Sequence, residues 1–176
     1  DGEHAFYDRI MRDAKKGGYG NISIKEAFLK SSNVGISKMV FEYYKNDQAK
    51  FVDRLYSMGL NDRLNISISG ESIPNISHPK GNVKWNGTTL PWMSIGYGIE
   101  ITPLQTLSFY AAIANEGKRM KPLFVKAIVN QSKQEKVFSP EILNPSICSK
   151  TTIDIVKDMM LAVVEEGTAT NVKTNR

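Results

Sequence analysis

Ser31-Ser32-Asn33 and Ser94-Ile95-Gly96-Tyr97-Gly98-Ile99-Glu100-Ile101-Thr102-Pro103-Leu104-Gln105 carry most of the information in this chain. The second is a glycine-paired loop that runs straight into a helix: Thr102 is an N-cap residue, Pro103 takes the first helical position, and Gln105 follows three residues after the cap. The spacing predicts a helix to about Asn115. Leu104, Leu107, Tyr110, Ala111 and Ala114 share one face, and Phe109, Ala112 and Ile113 leave little polar surface elsewhere, which is the composition of a buried helix.

The shorter stretch lies between two helical segments. Ser23-Ile24-Lys25-Glu26 has the form of a capping box and starts a helix predicted from Ile24 to Lys30. Ser31 to Asn33 break it, and Val34 to Tyr44 resumes with Val34, Met39, Phe41 and Tyr44 on the apolar face, broadened by Ile36 and Val40. Asp47 to Met58 repeats the pattern through Phe51, Leu55 and Met58, with Gly59 as a left-handed stop. A weaker helical pattern covers residues 5 to 16 and ends at Gly17-Gly18-Tyr19-Gly20. From Leu60 to Met93 periodicity fades into Asn, Ser, Gly and Pro, which predicts loop with at most an extended piece at Asn65 to Ser69.

Further on, Leu123 to Val129 and Glu135 to Phe138 flank a polar tip and read as a β-hairpin. Thr151 or Thr152 caps a last helix to about Glu166, with Ile153, Val156, Met160 and Val163 inward and Gly167 as its terminator. The expected architecture is a single unit, mainly α with a small antiparallel β-hairpin.

Composition narrows the function classes. A 176-residue chain with 41% hydrophobic content is large enough to bury a core. The formal net charge is +5, but the basic residues, among them Lys15-Lys16, Lys118-Arg119, Lys133 and Lys136, are scattered and form no stripe with interleaved aromatics, so no nucleic-acid partner is expected. The single Cys148 makes no internal disulfide. His4 and His78 lack acidic or Cys companions at ligand spacing, so neither a metal nor a cofactor is expected. Glu165-Glu166 are helix neighbours that diverge by about 100° and cannot face each other across a glycoside. Gly17-Gly18-Tyr19-Gly20 follows no strand and is no phosphate loop. No apolar run approaches the roughly 18 residues of a membrane helix, and Asp1-Gly2-Glu3-His4 has no signal-peptide character, so any anchor is expected outside this stretch.

Ser31 and Asn33, two residues apart in an extended turn, are expected to project to one side, with Ser32 opposite. A serine hydroxyl both donates and accepts, and a carboxamide offers a carbonyl and an amide together. The alternative is that serine and asparagine before a helix are ordinary caps, a task open to Ser32 or Asn33. Gly70-Glu71 with Pro74, Trp85, Ala111-Ala112-Ile113-Ala114-Asn115-Glu116-Gly117 and Pro122 follow in order.

With these, from about residue 20 onward, the chain resembles the transpeptidase domain of penicillin-binding proteins, most closely the monofunctional, division-type class B. The resemblance implies the helical part of the penicillin-recognising (β-lactamase/transpeptidase-like) α+β fold. It implies a peptidoglycan D,D-transpeptidase that takes D-Ala-D-Ala stem peptides through a serine acyl-enzyme and is acylated by β-lactams. In that frame Ser31 relays a proton between a lysine ammonium and the leaving nitrogen. Asn33 holds the catalytic lysine and the substrate's peptide bond, and Tyr97 lines the cleft wall. Tyr97 also has a plainer reading, as filler between two glycines needed for tight turns. The resemblance further implies division or elongation membrane proteins as partners, and a parent anchored in the cytoplasmic (inner) membrane with this domain on the periplasmic or extracellular side.

Such enzymes use three motifs, and only the Ser-x-Asn motif is matched in its place. No Ser-x-x-Lys precedes Ser31, and Lys173-Thr174-Asn175-Arg176 ends in Asn where the third motif has Gly. The 176 residues are therefore expected to be a central piece of the domain, inactive alone, and to self-associate through apolar helix faces left uncovered. The rival readings are a noncatalytic binding or assembly module, and a β-lactamase or β-lactam sensor. The run from Gly96-Tyr97-Gly98 to Thr102-Pro103-Leu104-Gln105 argues against the last.

Overall fold

The structure is a computed structural model that describes residues 2–81, 84–131 and 133–173. The chain forms two compact units, one from residues 1–53, 76–99 and 154–176, the other from residues 54–75 and 100–153.

The first unit opens with a β-hairpin in place of the helix predicted over residues 5 to 16. Strands β1 (Glu3–Phe6) and β2 (Arg9–Arg12) pair antiparallel, with Glu3 opposite Arg12 and Phe6 opposite Arg9. Tyr7, at a φ of 55°, makes the two-residue turn. Strand alternation wins because it puts Phe6 and Met11 on one buried face, 2% and 3% exposed. The Phe6 ring meets Phe41 and Trp92 edge-on at 5.2 and 6.3 Å.

Helix α1 (Ile24–Leu29) starts with the capping box read from the sequence: Ser23 Oγ accepts from the Glu26 amide at 3.2 Å, and Glu26 accepts from the Ser23 amide at 2.8 Å. That backbone hydrogen bond is the main reason the Glu26 carboxyl titrates below its ordinary range. Helix α2 (Asn33–Tyr44) buries Ser37 and Val40. Helix α3 (Ala49–Ser57) buries Ala49 and Val52, and Gly59 follows at a φ of 79°, the left-handed stop expected there.

The stretch from Leu60 to Met93 holds more order than its composition predicts. Asn65 to Ser69 forms no strand; the two-residue strand β3 comes later, at Asn75–Ile76. A short helix, α4 (Thr89–Met93), buries Leu90, Pro91 and Met93. Its five residues are too few for a periodic signal, and Pro91 sits in its first turn, where a missing N–H costs nothing.

In the second unit, after β4 (Ile99–Glu100), helix α5 (Pro103–Ala114) begins with its own capping box, Thr102 with Gln105. Its inward face differs from the predicted one. Gln105, Ser108, Ala112 and Ile113 are buried, while Leu107 is 64% and Tyr110 50% exposed. Strand β5 (Arg119–Met120) returns beside this polar-lined face, where Ser108 Oγ meets the Met120 carbonyl at 3.4 Å. Strands β6 (Ala127–Asn130) and β7 (Lys133–Val137) form the expected hairpin, with Ala127 opposite Val137. Strand β8 (Ile142–Asn144) pairs with β5.

Helix α6 (Lys150–Glu165) starts two positions earlier than a Thr151 cap allows: Ser149 Oγ accepts from the Thr152 amide at 3.2 Å. Mainly α with small antiparallel hairpins is the architecture observed.

Candidate active site

The Ser-Ser-Asn elbow lies in the first unit and joins α1 to α2. The amide of Ser32 closes α1 on the Ala27 carbonyl at 2.8 Å. Ser31 is not extended as its spacing predicts: its φ is 50°, the left-handed region that non-glycine residues seldom occupy. Such a residue persists only where its surroundings impose it, and backbone strain of this kind gathers at functional sites.

The conformation sends consecutive serines in opposite directions. Ser32 is 2% exposed, and its hydroxyl lies 3.0 and 3.1 Å from the two carboxylate oxygens of Asp13 while accepting from the Gly35 amide at 2.9 Å. It is the N-cap of α2. Ser31 is exposed, with Oγ 3.0 Å from Thr168 Oγ1. Asn33, half-buried, donates through Nδ2 to the Arg12 carbonyl at 3.0 Å. Its carbonyl oxygen and second N–H carry no bond among the described residues. The capping duty thus falls to Ser32 alone, and neither Ser31 nor Asn33 is used for it.

Three residues hold the elbow, a part that the sequence reading gives to none of them; Gly167 is read there only as the terminator of the last helix. Asp13 accepts from Ser32 and also from the Val34 amide at 2.9 Å, tying the end of the β1–β2 hairpin to the first turn of α2. Thr168 reaches Ser31 from 137 residues away. Gly167 permits that approach. A Cβ there would stand 2.6 Å from the Leu29 carbonyl oxygen, and the next amide, Thr168, donates to that same oxygen at 3.2 Å. Close approach, not a left-handed stop, is what this glycine supplies, since its φ lies outside the positive range. Gly167→Ala is therefore expected to cost about 1–3 kcal/mol through overpacking and to detach Thr168 from Ser31. Chemical denaturation reads the first effect, and amide exchange at Thr168 reads the second.

A concavity of about 840 Å³ beside the elbow is walled by Asp13, Tyr19, Ser32, Val34, Gly35 and Lys38 among others. Ser31 and Asn33 are not among its lining residues. Tyr97 is held between Gly96 and Gly98, at φ of 101° and 69°, and its amide donates to the Trp92 carbonyl at 3.1 Å. Its side chain is 65% exposed, so it fills no interior space, and no hydrogen bond joins it to Ser31 or Asn33 among the described residues.

A Ser-x-x-Lys string does occur after the elbow, as Ser77-His78-Pro79-Lys80, but its backbone is not helical and does not stack serine and lysine one turn apart. His78 there bonds Asp53 at 3.1 Å through Nε2. Of the Lys173 to Arg176 string, Thr174, Asn175 and Arg176 lie outside the described residues. Among the described residues there is no group of three or more His, Cys, Asp or Glu placed to hold a metal, and no helix long and apolar enough to cross a membrane.

Comparison with known proteins is consistent along nearly the whole chain. The family model for the penicillin binding protein transpeptidase domain matches residues 2–175. The penicillin-binding protein PbpB of Mycobacterium tuberculosis is 31% identical over 160 residues, which is 88% of this chain and 22% of that protein. The peptidoglycan D,D-transpeptidase FtsI of Escherichia coli is 29% identical over 125 residues, 71% of this chain and 20% of that protein. The chain spans about a fifth of the length of these curated relatives. A crystal structure of penicillin binding protein 3 from Mycobacterium tuberculosis in complex with aztreonam superposes with a TM-score of 0.74 at 29% identity, covering 93% of this chain and 35% of that one. A structure from Burkholderia ambifaria described as a peptidoglycan glycosyltransferase shares the fold, with a TM-score of 0.78 at 23% identity over 99% of this chain and 50% of that one.

Proposed function

This chain belongs to the penicillin-binding protein transpeptidase domain family, and we propose that it is the central part of a class B peptidoglycan D,D-transpeptidase, carrying the Ser-x-Asn element of the active site. The observation that carries the proposal is the division of labour at the elbow. Ser32 alone caps α2, which leaves the Ser31 hydroxyl at the surface and most of the Asn33 carboxamide unused.

In the parent enzyme a serine outside this chain attacks the carbonyl carbon of the D-Ala-D-Ala bond, forming the acyl-enzyme as the C–N bond breaks. The departing D-alanine nitrogen takes a proton, and Ser31 relays it from a lysine ammonium. Asn33 holds that lysine and the peptide bond, keeping the reacting carbonyl in line. The amine of a second stem peptide then attacks the ester, forming the cross-link and releasing the serine. β-Lactams enter at the first step and stop there, acylating the same serine. Tyr97, exposed on its glycine loop, serves the wall of the cleft. The chemistry needs no cofactor.

The parent is anchored in the cytoplasmic membrane with this domain on its outer side, among division or elongation proteins. The 176 residues form a partial domain, without the nucleophile or the lysine, and perform no acylation themselves. Fluorescent penicillin tests both statements. It is expected to label the parent covalently and to leave this chain unlabelled. A labelled band from this chain contradicts the absence of the nucleophile, and an unlabelled parent contradicts the function. The exposed Leu107 and Tyr110 of α5 lead this chain, taken alone, to self-associate. Sedimentation is expected to show oligomers whose fraction grows with concentration, and a strict monomer contradicts it.

A further inference from the structure

The Ser31 hydroxyl has one hydrogen-bond partner among the described residues, and the backbone on both sides of that bond is fixed. Thr168 Oγ1 stands 3.0 Å from Ser31 Oγ, across 137 positions of sequence. The threonine is clamped from two directions: its amide donates to the Leu29 carbonyl of α1 at 3.2 Å, and the next amide, Ala169, donates to the Val163 carbonyl of α6 at 3.1 Å. Gly167 admits the contact, because a Cβ there would stand 2.6 Å from the same Leu29 oxygen. Ser31 in turn sits at a φ of 50°, with its amide donating to the Phe28 carbonyl at 3.1 Å. Both residues are exposed, so water would satisfy either hydroxyl as well, and stability alone gives little reason to hold them together.

The valences of the serine oxygen assign a direction to the bond. A serine hydroxyl has one proton and two lone pairs. In the relay the proton goes to the leaving nitrogen, and one lone pair takes the incoming proton from the lysine ammonium, which leaves one lone pair. Thr168 Oγ1 has no other partner among the described residues, so its own proton is available to that lone pair. With Ser31 as the donor, the serine proton would point at the threonine and away from the leaving nitrogen.

We infer that Thr168 is a positioning residue for acylation: it donates to Ser31 and so turns the Ser31 proton toward the leaving nitrogen. The inference rests on the reading of Ser31 as the relay. Thr168 keeps its proton throughout. The lysine N–H bond and the Ser31 O–H bond break as a new Ser31 O–H bond and the N–H bond of the leaving group form.

The test is a double-mutant cycle in the full-length enzyme, read as the rate constant for acylation by a saturating fluorescent penicillin. Thr168→Val keeps the shape of the side chain and loses its proton, and is expected to slow acylation about three- to tenfold, the rate equivalent of one neutral hydrogen bond. Thr168→Ser is expected to keep the parent rate. In a Ser31→Ala background, Thr168→Val is expected to change nothing further, because it acts only through the missing hydroxyl. An unslowed Thr168→Val enzyme, a Thr168→Ser enzyme as slow as the valine variant, or equal slowing in both backgrounds each overturns the positioning role and leaves the relay standing. A Ser31→Ala enzyme that acylates at the parent rate overturns the relay, and the positioning role with it.

Discussion

Replacing Ser31 by alanine in the full-length enzyme is expected to slow acylation by a β-lactam by about 10²–10⁴-fold, the range for loss of a positioned proton-transfer group. Stability is expected to change by no more than about 0.5 kcal/mol. The two effects separate because of how the elbow is built. The Ser31 side chain is exposed and makes one bond, to the Thr168 hydroxyl, so folding loses little when it goes. Its left-handed backbone is retained by alanine at no great additional cost. Stopped-flow acylation and thermal unfolding of the same variant read the two quantities. A loss of stability matching the loss of rate would make Ser31 a structural residue.

Asp13→Ala is expected to act in the reverse sense, destabilising the first unit by about 3 kcal/mol. Its carboxylate accepts from the buried Ser32 hydroxyl and the half-buried Val34 amide, both at the start of α2. Hydrogen bonds to a charged acceptor contribute about 1.5–3 kcal/mol each, and donors orphaned by truncation keep their desolvation cost. Asp13→Asn, which retains one accepting oxygen, should recover part of the loss. Denaturant titration gives the magnitude. Faster amide exchange at Val34 and Gly35 than at the far end of α2 would place the damage at the elbow. An alanine variant as stable as the unaltered protein would show that the hairpin does not brace that turn.

These long-range contacts separate what the sequence could disclose from what it could not. The capping boxes at Ser23 and Thr102 were legible because each joins residues three apart, and Gly59 because a left-handed stop follows a periodic run. The Ser-x-Asn motif was legible as a string, but its conformation was not. Nothing local distinguishes an extended Ser31 from a left-handed one, and the residues around it, Asp13 and Thr168, are 19 residues from Ser32 and 137 from Ser31. The N-terminal hairpin was misread because its turn uses Tyr7 at positive φ, without the glycine or asparagine that signals such turns. On α5 a helix apolar nearly all round gives periodicity no direction. Burial then followed Gln105, whose Oε1 accepts from the Thr102 amide, and Ser108, whose hydroxyl meets the Met120 carbonyl and Arg119, and left Leu107 and Tyr110 outside.

The proton-relay role of Ser31 is tested most directly by the rate at which a fluorescent penicillin acylates the full-length enzyme carrying Ser31→Ala, set against Thr168→Val, which removes the other half of the same hydrogen bond. If Ser31 moves the proton, the first variant slows by at least about a hundredfold and the second by far less. Equal rates in the two variants, or an unslowed Ser31→Ala enzyme, would contradict it.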